Sequence, residues 1–387
     1  MVLESSNDEK HQLKIVFFSV LPPFRGGISS FSSLLLKKLM SLTKVRPFTF
    51  KALYPKLLFP GKSQIDPSLK PEAERIVSTI NPFSYFRARS IMKKEDPDVF
   101  VVNYWMTLFG PMYAIFSNGF KPNVLKIALI HNINPHEKRF FDTFFNRLFL
   151  NRYDAFVVLS EQVKRDLLLK KPDASCLLLN HPSYSHFGTP IHQNTAREHF
   201  NIPLNSKVLL FFGLIRDYKG LDVLLEAMND LDETYYLIVA GEVYGDDQTY
   251  LKQIENISKA HVLMHNRYIP DDEVKRYFSA SDLCVLPYKK GTQSGVQAIS
   301  DSFCTPVLVS KNGGLHENVE EGRSGFIVNQ LESHLLSDKI QDVFSGGKLD
   351  IVREKLRSVQ SNNRDEWKDF ADQFYDFIKN EKVKKNI

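Results

Sequence analysis

Two cations, Arg216 and Lys219, stand three residues apart on a short segment between an apolar run and an apolar-periodic one. The run Val208 to Phe212 breaks at Gly213, and after Lys219-Gly220 come Leu221, Val223, Leu224, Leu225 and Met228. This pattern predicts a buried strand, a glycine turn, a cationic loop and the start of a helix. Orphan N–H groups and the macrodipole already attract anions at a helix N-terminus, so paired cations beside one suit a polyphosphate. A nucleotide diphosphate is the expected ligand. The plain alternative is a pair of surface cations at a helix cap.

Three further constellations could carry chemistry. Arg25-Gly26-Gly27-Ile28 follows the first strand pattern and precedes a helical one, and paired glycines there let the backbone approach a ligand closely. The alternative is a tight turn without a ligand. His131 directly follows the strand pattern Val124 to Ile130, which places its imidazole at the carboxyl end of a strand, and Asn132, Pro135, His136 and Glu137 come next. Alone, such a histidine is more often structural; its position favours function. The segment Pro287 to Pro306 holds Gly291, Thr292, Gln293, Ser294, Gly295 and Val296 between a strand pattern and a helix pattern, and the N–H groups of such a loop can cradle phosphate oxygens. The glycine pair Gly313-Gly314 follows another strand pattern on the same side. No GxGxxG, GxSxG, HExxH or Walker lysine occurs.

These residues need elements to hold them. Apolar runs at Leu13 to Val20, Asp98 to Val102, Val124 to Ile130 and Ala155 to Leu159 alternate with helical patterns at Phe31 to Leu42, Pro135 to Asn151 and Glu161 to Leu169. The stretch from His181 to about Asn205, with Pro182, Pro190 and Pro203, has little periodicity and reads as a linker. Alternation then resumes at Val208 to Phe212, Tyr236 to Ala240, His261 to Met264, Leu283 to Leu286, Thr305 to Val309 and Gly325 to Val328, with a helix expected from Asp271. The expected architecture is α/β, two tandem Rossmann-like domains facing a central cleft, because parallel sheets bind ligands at the carboxyl ends of their strands. The expected division is 1–187, 188–362 and a final helix in 363–387. That helix carries Trp367, Phe370, Ala371 and Phe374 as one apolar stripe and is expected to pack back on the first domain.

Length and composition set the outer bounds. The 387 residues, 43% hydrophobic and 25% charged, suit two well-filled domains. A net charge of +5, with no zinc-finger or RNP pattern, gives no indication of nucleic-acid binding. Cys176, Cys284 and Cys304 form no CxxC pair or His/Cys cluster, so no metal site is expected, and their odd number suits a reducing compartment. The polar start is unlike a secretory leader, and no apolar run reaches the roughly 18 residues of a membrane span. A cytoplasmic protein is expected, with any contact at the inner face of the cytoplasmic membrane made from the surface. Between Leu36 and Lys70, eight basic residues (Lys37 to Lys70) stand against Asp66 alone, interleaved with Phe48, Phe50, Tyr54, Leu57, Leu58 and Phe59. That composition fits a peripheral contact with anionic lipid, or else a solvated helix face followed by a half-buried strand and loop.

The order FFGLIRDYKGLDVLLEAM, LIVAGE, NRYIPDDEV, SDLCVLPY, GTQSGV and PVLVSKNGGLHENVEEGRSGFIV resembles retaining glycosyltransferases of family 4, which have the two-Rossmann GT-B fold. FRGGISSF, IHNINPHE and DAFVVLSE agree more loosely in the first half. The resemblance implies transfer of a sugar from a nucleotide-sugar donor to a glycan or lipid-linked acceptor, as in polysaccharide biosynthesis, with no metal and no cofactor beyond the donor. It implies that Arg216 and Lys219 neutralise the donor diphosphate. Gly213, Thr292, Gln293, Ser294, Gly295 and Val296 would lie near the diphosphate and sugar, and Tyr268 and Ile269 beside the nucleobase. Gly26 and Gly27 would lie near phosphate and acceptor, and His131 on the donor sugar. Such an enzyme works by positioning and charge stabilisation, with the departing phosphate taking the acceptor proton.

One departure matters. Many members carry two glutamates eight positions apart in the loop and helix after PS or PY, and here those positions hold Gly291 and Ile299. The TQSGV-type loop therefore looks like a subgroup lacking both carboxylates, and the ribose contact has no candidate. The competing expectations are a catalytically silent nucleotide-sugar-binding or partner module and, more remotely, a sugar-nucleotide epimerase, for which no convincing acid/base pair of carboxylates is found.

Overall fold

The structure is a computed structural model and describes residues 12–54, 63–134, 139–291, 294–312, 314–360 and 365–386. Pro135, His136, Glu137, Thr292, Gln293, Gly313 and the segment Leu57 to Phe59 fall outside these residues.

Chain order in the first half is β1 (Lys14–Phe18), α1 (Gly27–Leu42), β2 (Lys44–Ala52), β3 (Glu74–Ser78), α2 (Phe83–Lys94), β4 (Val99–Tyr104) and α3 (Gly110–Ser117). It continues with β5 (Leu125–Ile130), α4 (Asp142–Leu150), β6 (Ala155–Val158), α5 (Glu161–Lys170) and β7 (Ser175–Leu178). The seven strands form one parallel sheet in the order β3-β2-β1-β4-β5-β6-β7. Its central strands are buried on both faces, which explains why they read as unbroken apolar runs.

A short helix α6 (Gln193–His199) leads into β8 (Lys207–Phe212), α7 (Leu221–Ala227), β9 (Tyr235–Ala240), α8 (Gln248–Glu255), β10 (His261–His265) and α9 (Asp271–Ala280). Then come β11 (Leu283–Leu286), α10 (Gly295–Ser302), β12 (Val307–Ser310), β13 (Gly325–Val328), α11 (Ser333–Phe344), α12 (Lys348–Gln360) and α13 (Glu366–Asn386). The second sheet is also parallel, in the order β10-β9-β8-β11-β12-β13. Each sheet reverses its strand order once, at β1/β4 and at β8/β11, and a crevice for a ligand forms at such points.

Two expectations change here. The segment read as a linker contains α6, a short polar helix held by tertiary contacts rather than by periodicity. Its Arg197 is 4% exposed, pairs with Asp282 at 2.7 Å and also donates to the Leu204 carbonyl. Within the basic aromatic stretch, two of the aromatic residues turn inward rather than toward a surface. Phe48 and Phe50 lie in β2, between β1 and β3, and are fully buried. Several of its cations are already paired: Lys37 with Glu72, Lys38 with Asp365, and Arg46 with Glu74 and Glu95.

The final helix α13 lies against α1 and carries its buried stripe of Trp367, Phe370, Ala371, Phe374 and Ile378 into the core. Lys382 Nζ donates to the Asn123 carbonyl at 2.6 Å and Lys385 pairs with Asp154 at 2.6 Å, so the chain end is fastened to the first sheet's domain.

Candidate functional site

The second-domain half of the site is built where β8 ends. Gly213 gives its N–H to the Ala240 carbonyl, and a turn over Asp217–Lys219 brings the chain to Gly220. The Lys219 side chain folds back over Gly213. A Cβ built on Gly213 would lie 3.4 Å from Lys219 Nζ and 3.3 Å from Val296 Cγ2. Lys219, Gly213 and the first turn of α10 therefore share one point in space. Ser294 caps that helix, its Oγ accepting from the Val296 N–H at 3.2 Å and lying 3.1 Å from the Tyr288 hydroxyl. No acidic residue stands in the first turn of α10.

The electrostatics are one-sided. Lys219 is 8% exposed. Burial, with Arg216 second, pushes its ammonium down to about 8. Its Nζ lies 5.4 Å from the centre of the Tyr288 ring, and the half-buried Arg216 guanidinium stacks 3.8 Å over Tyr244. The nearby carboxylates do not neutralise them. Asp217 and Asp222 both bind Lys289, each at 2.8 Å, and among the described residues neither Arg216 nor Lys219 has an ion-pair partner. Two cations and a helix N-terminus thus converge, and among the described residues no carboxylate pairs with either cation. Holding a buried charge without a counter-ion costs several kcal/mol, so the arrangement fits a bound anion.

The first-domain half faces it. Gly26 precedes α1 and Gly27 opens it, with no side-chain cap and no acid in the first turn. Nothing lies within 4 Å of a Cβ built on either glycine. Tyr184, from the segment joining the domains, touches both halves. Its hydroxyl is 3.4 Å from the Gly27 carbonyl oxygen, and its ring is 3.6 Å from a Cβ built on Gly295.

His131 follows β5, its N–H bound to the Tyr104 carbonyl at 2.8 Å and its ring edge-on to Phe31 at 4.9 Å. Burial first, then His181, pushes its imidazole down to about 3. It is a neutral hydrogen-bonding group near neutral pH, not a proton acceptor of useful strength.

That depression also makes stability depend on pH. Burial pushes His181 down to about 4 as well. A histidine whose folded value lies below its unfolded 6.5 contributes stability that is complete above pH 6.5 and lost as pH falls toward 4 and below. The urea midpoint should therefore drop between pH 7.5 and 4.5, and His131→Gln should flatten that slope. Equal slopes in the two proteins would remove His131 from the account.

Two contacts across the cleft were not legible beforehand. Arg25 pairs with Glu242 at 2.6 Å, both largely buried, while its guanidinium lies 4.5 Å over the Tyr268 ring. Glu317, beyond β12, accepts from the Gln162 N–H at the start of α5 at 3.1 Å and binds Arg165. Glu242 follows β9 as His131 follows β5, so the same rule about strand ends could have found it. Tyr184 and Glu317 had no such signal. Ile269 sits in the core at 6% exposure, whereas Tyr268 is half-buried.

The two missing glutamates have a physical setting. A Cβ at Gly291 would lie 2.9 Å from Leu315 Cδ1 and 3.1 Å from Tyr288 Cδ2, so any side chain there must displace a packed neighbour. Ile299 is 7% exposed within the core.

Comparison with known proteins matches residues 192–367 to a family described as glycosyl transferases group 1, and residues 64–174 to glycosyltransferase family 4. A GDP-mannose:glycolipid 4-beta-D-mannosyltransferase of Xanthomonas campestris pv. campestris is 27% identical over 221 residues, covering 56% of this chain and 60% of that protein. A D-inositol 3-phosphate glycosyltransferase of Corynebacterium urealyticum is 28% identical over 169 residues, covering 41% of this chain and 39% of that protein. The chain thus matches about half the length of these curated relatives. Among solved structures, sucrose-phosphate synthase of Thermosynechococcus elongatus superposes with a TM-score of 0.76 at 18% identity, covering 95% of this chain and 99% of that one. HepE of Anabaena, solved in complex with UDP-glucose, gives 0.72 at 16% identity, covering 94% and 99%. The two facing parallel sheets are the GT-B fold.

Proposed function

We propose that this chain, a GT-B protein of the family 4-like glycosyltransferase kind, moves a sugar from a nucleotide-diphosphate donor to a glycan or lipid-linked acceptor, with retention at the anomeric carbon and without a metal. The observation that carries it is the convergence of Lys219, Arg216 and the N-terminus of α10, whose first turn holds no acidic residue, with no carboxylate among the described residues paired to either cation.

The chemistry follows from that field. As the bond from the anomeric carbon to the diphosphate oxygen breaks, negative charge develops on the leaving phosphate. Lys219 and Arg216 stabilise it in place, without reorganisation at the moment of reaction. The neutral imidazole of His131 offers a hydrogen bond to a donor-sugar hydroxyl. The departing phosphate takes the acceptor proton, so no carboxylate base is required, which suits a site with Gly291 and Ile299 where glutamates stand in related enzymes. Tyr268 offers a face for the nucleobase.

Thermal shift with a panel led by GDP-mannose and UDP-glucose, the nucleotides named for a relative and a structural neighbour, tests donor binding. Turnover with the best donor should persist in excess EDTA. NMR of the first product should show the donor's anomeric configuration. An inverted product would instead favour inverting chemistry, a reading that the β-mannosyl product named for the Xanthomonas relative supports. No shift with any nucleotide sugar in folded protein would remove the transferase proposal. Donor binding without turnover on any acceptor would favour the silent binding module.

A further inference from the structure

On the side of the cleft away from Arg25, a cavity of about 750 Å³ separates the two domains. That volume is within the range of small-molecule sites, about 300–1,000 Å³. The first domain contributes Glu161, which opens α5, and Asn180, just after β7. The second contributes one side of α10, with Ser294, Gln297, Ala298 and Asp301 at helical spacing. Glu317 and Glu320 complete that wall. Because Ser294 also caps α10 beside Lys219, the cavity adjoins the place proposed for the donor diphosphate.

Its chemistry is distinct from that of the donor half-site. Glu161, Asp301, Glu317 and Glu320 line it, and no lysine or arginine among the described residues does. His181 also lines it and is uncharged at neutral pH. Glu317 and Glu320 are engaged, by Arg165 and Arg323.

Two acceptors are not engaged. Gln297 is 7% exposed; its Nε2 donates to the Asn318 carbonyl at 3.2 Å, and its Oε1 has no partner among the described residues. The Asp301 carboxylate likewise has no hydrogen-bond or ion-pair partner among them. Burial, with Glu366 second, raises its carboxyl to about 7, so near neutral pH it can both donate and accept. Asp301 is half-buried and Gln297 lines the cavity, so a ligand that brings hydroxyls or an ammonium group can bond both acceptors in place of water. A phosphate or carboxylate would meet the Glu161 and Asp301 carboxylates with no lining cation among the described residues to pair with it.

We infer that this cavity holds the glycan segment of the acceptor, that the segment is neutral or amine-bearing, and that sugars carrying phosphate or carboxylate are rejected. The inference rests on the transferase proposal for calling the ligand an acceptor. The glycan site itself is tested without turnover.

Saturation-transfer NMR on the full chain would use cellobiose, maltose, mannobiose, the glucosamine disaccharide and 6-phosphorylated cellobiose as probes. At least one neutral or amine disaccharide should bind, and the phosphorylated one should not. Asn180→Trp, at an exposed position, should abolish the signal by filling the cavity, and Asp301→Lys should weaken binding about tenfold or more. No binding by any probe, equal binding of the phosphorylated sugar, or binding untouched by both variants would overturn the inference. Thermal shift with nucleotide sugars on the same sample separates the two claims. A protein that binds donor but no disaccharide keeps the transferase proposal and loses this one. A protein that binds disaccharide through the cavity but no nucleotide keeps a glycan site and loses the transferase proposal.

Discussion

Lys219→Met is expected to lower turnover about 10²-fold or more while leaving the protein as stable as before, or more so. The two effects have one cause. Burial disfavours the charged ammonium, and lowering its value from 10.5 to about 8 corresponds to roughly 3 kcal/mol at neutral pH. Methionine keeps the volume and apolar stem and removes that cost. It also removes one of the two charges proposed to hold the diphosphate. Arg216→Ala should cost a similar factor in rate, with little change in melting temperature because the side chain is half-buried. Measured together, kcat, donor Kd and Tm decide the matter. Turnover within about threefold of wild type in both variants would eliminate the diphosphate assignment. A large fall in Tm for Lys219→Met would show that the lysine is there for the fold.

Gly220→Ala is expected to destabilise the second domain by about 3 kcal/mol or more and to abolish donor binding with it. Gly220 has φ +73, and an alanine Cβ there would lie 2.0 Å from the Pro287 carbonyl oxygen. Neither partner is a flexible side-chain end. The turn after β8 or the chain leaving β11 must move, and those two segments carry Lys219 and lead to α10. Gly322 supplies the control. Its φ is +70, and nothing lies within 4 Å of an added Cβ. Gly322→Ala should cost only the backbone term, about 1 kcal/mol. Chemical denaturation of both variants isolates the clash. Equal losses would mean that the contact with Pro287 relaxes freely.

The local parts of this molecule were readable in advance. Val208 to Lys219 encodes a strand, a glycine turn and a cationic loop within a dozen consecutive residues, each fixed by short-range rules. The central strands were readable because burial on both faces makes them apolar throughout. Edge strands were not: β3 begins with Glu74 and Arg75, and every residue of β7 is only partly buried, so neither leaves an apolar run. Phe48 and Phe50 were ambiguous, since a strand beside lysines and a lipid-facing segment share one composition until the neighbouring strands are known. Helix α6 depends on Arg197 reaching Asp282, 85 positions away. The site divides in the same way. Arg216, Lys219 and Ser294 announce themselves through neighbours in the chain. The Arg25–Glu242 pair joins residues 217 positions apart, and nothing local to either foretells the other.

The cross-domain ties made by Arg25 and by Glu317 stand at opposite flanks of the cleft, one beyond β1, β9 and β10, the other beyond β6 and β12. Two pins through a pair of plates define an axle. Sliding the plates apart, or twisting one across the other, draws both pins at once, whereas rocking about the line between them draws neither. Admission of a ligand along that rocking coordinate leaves the pins in place, and wholesale gaping of the mouth must break both.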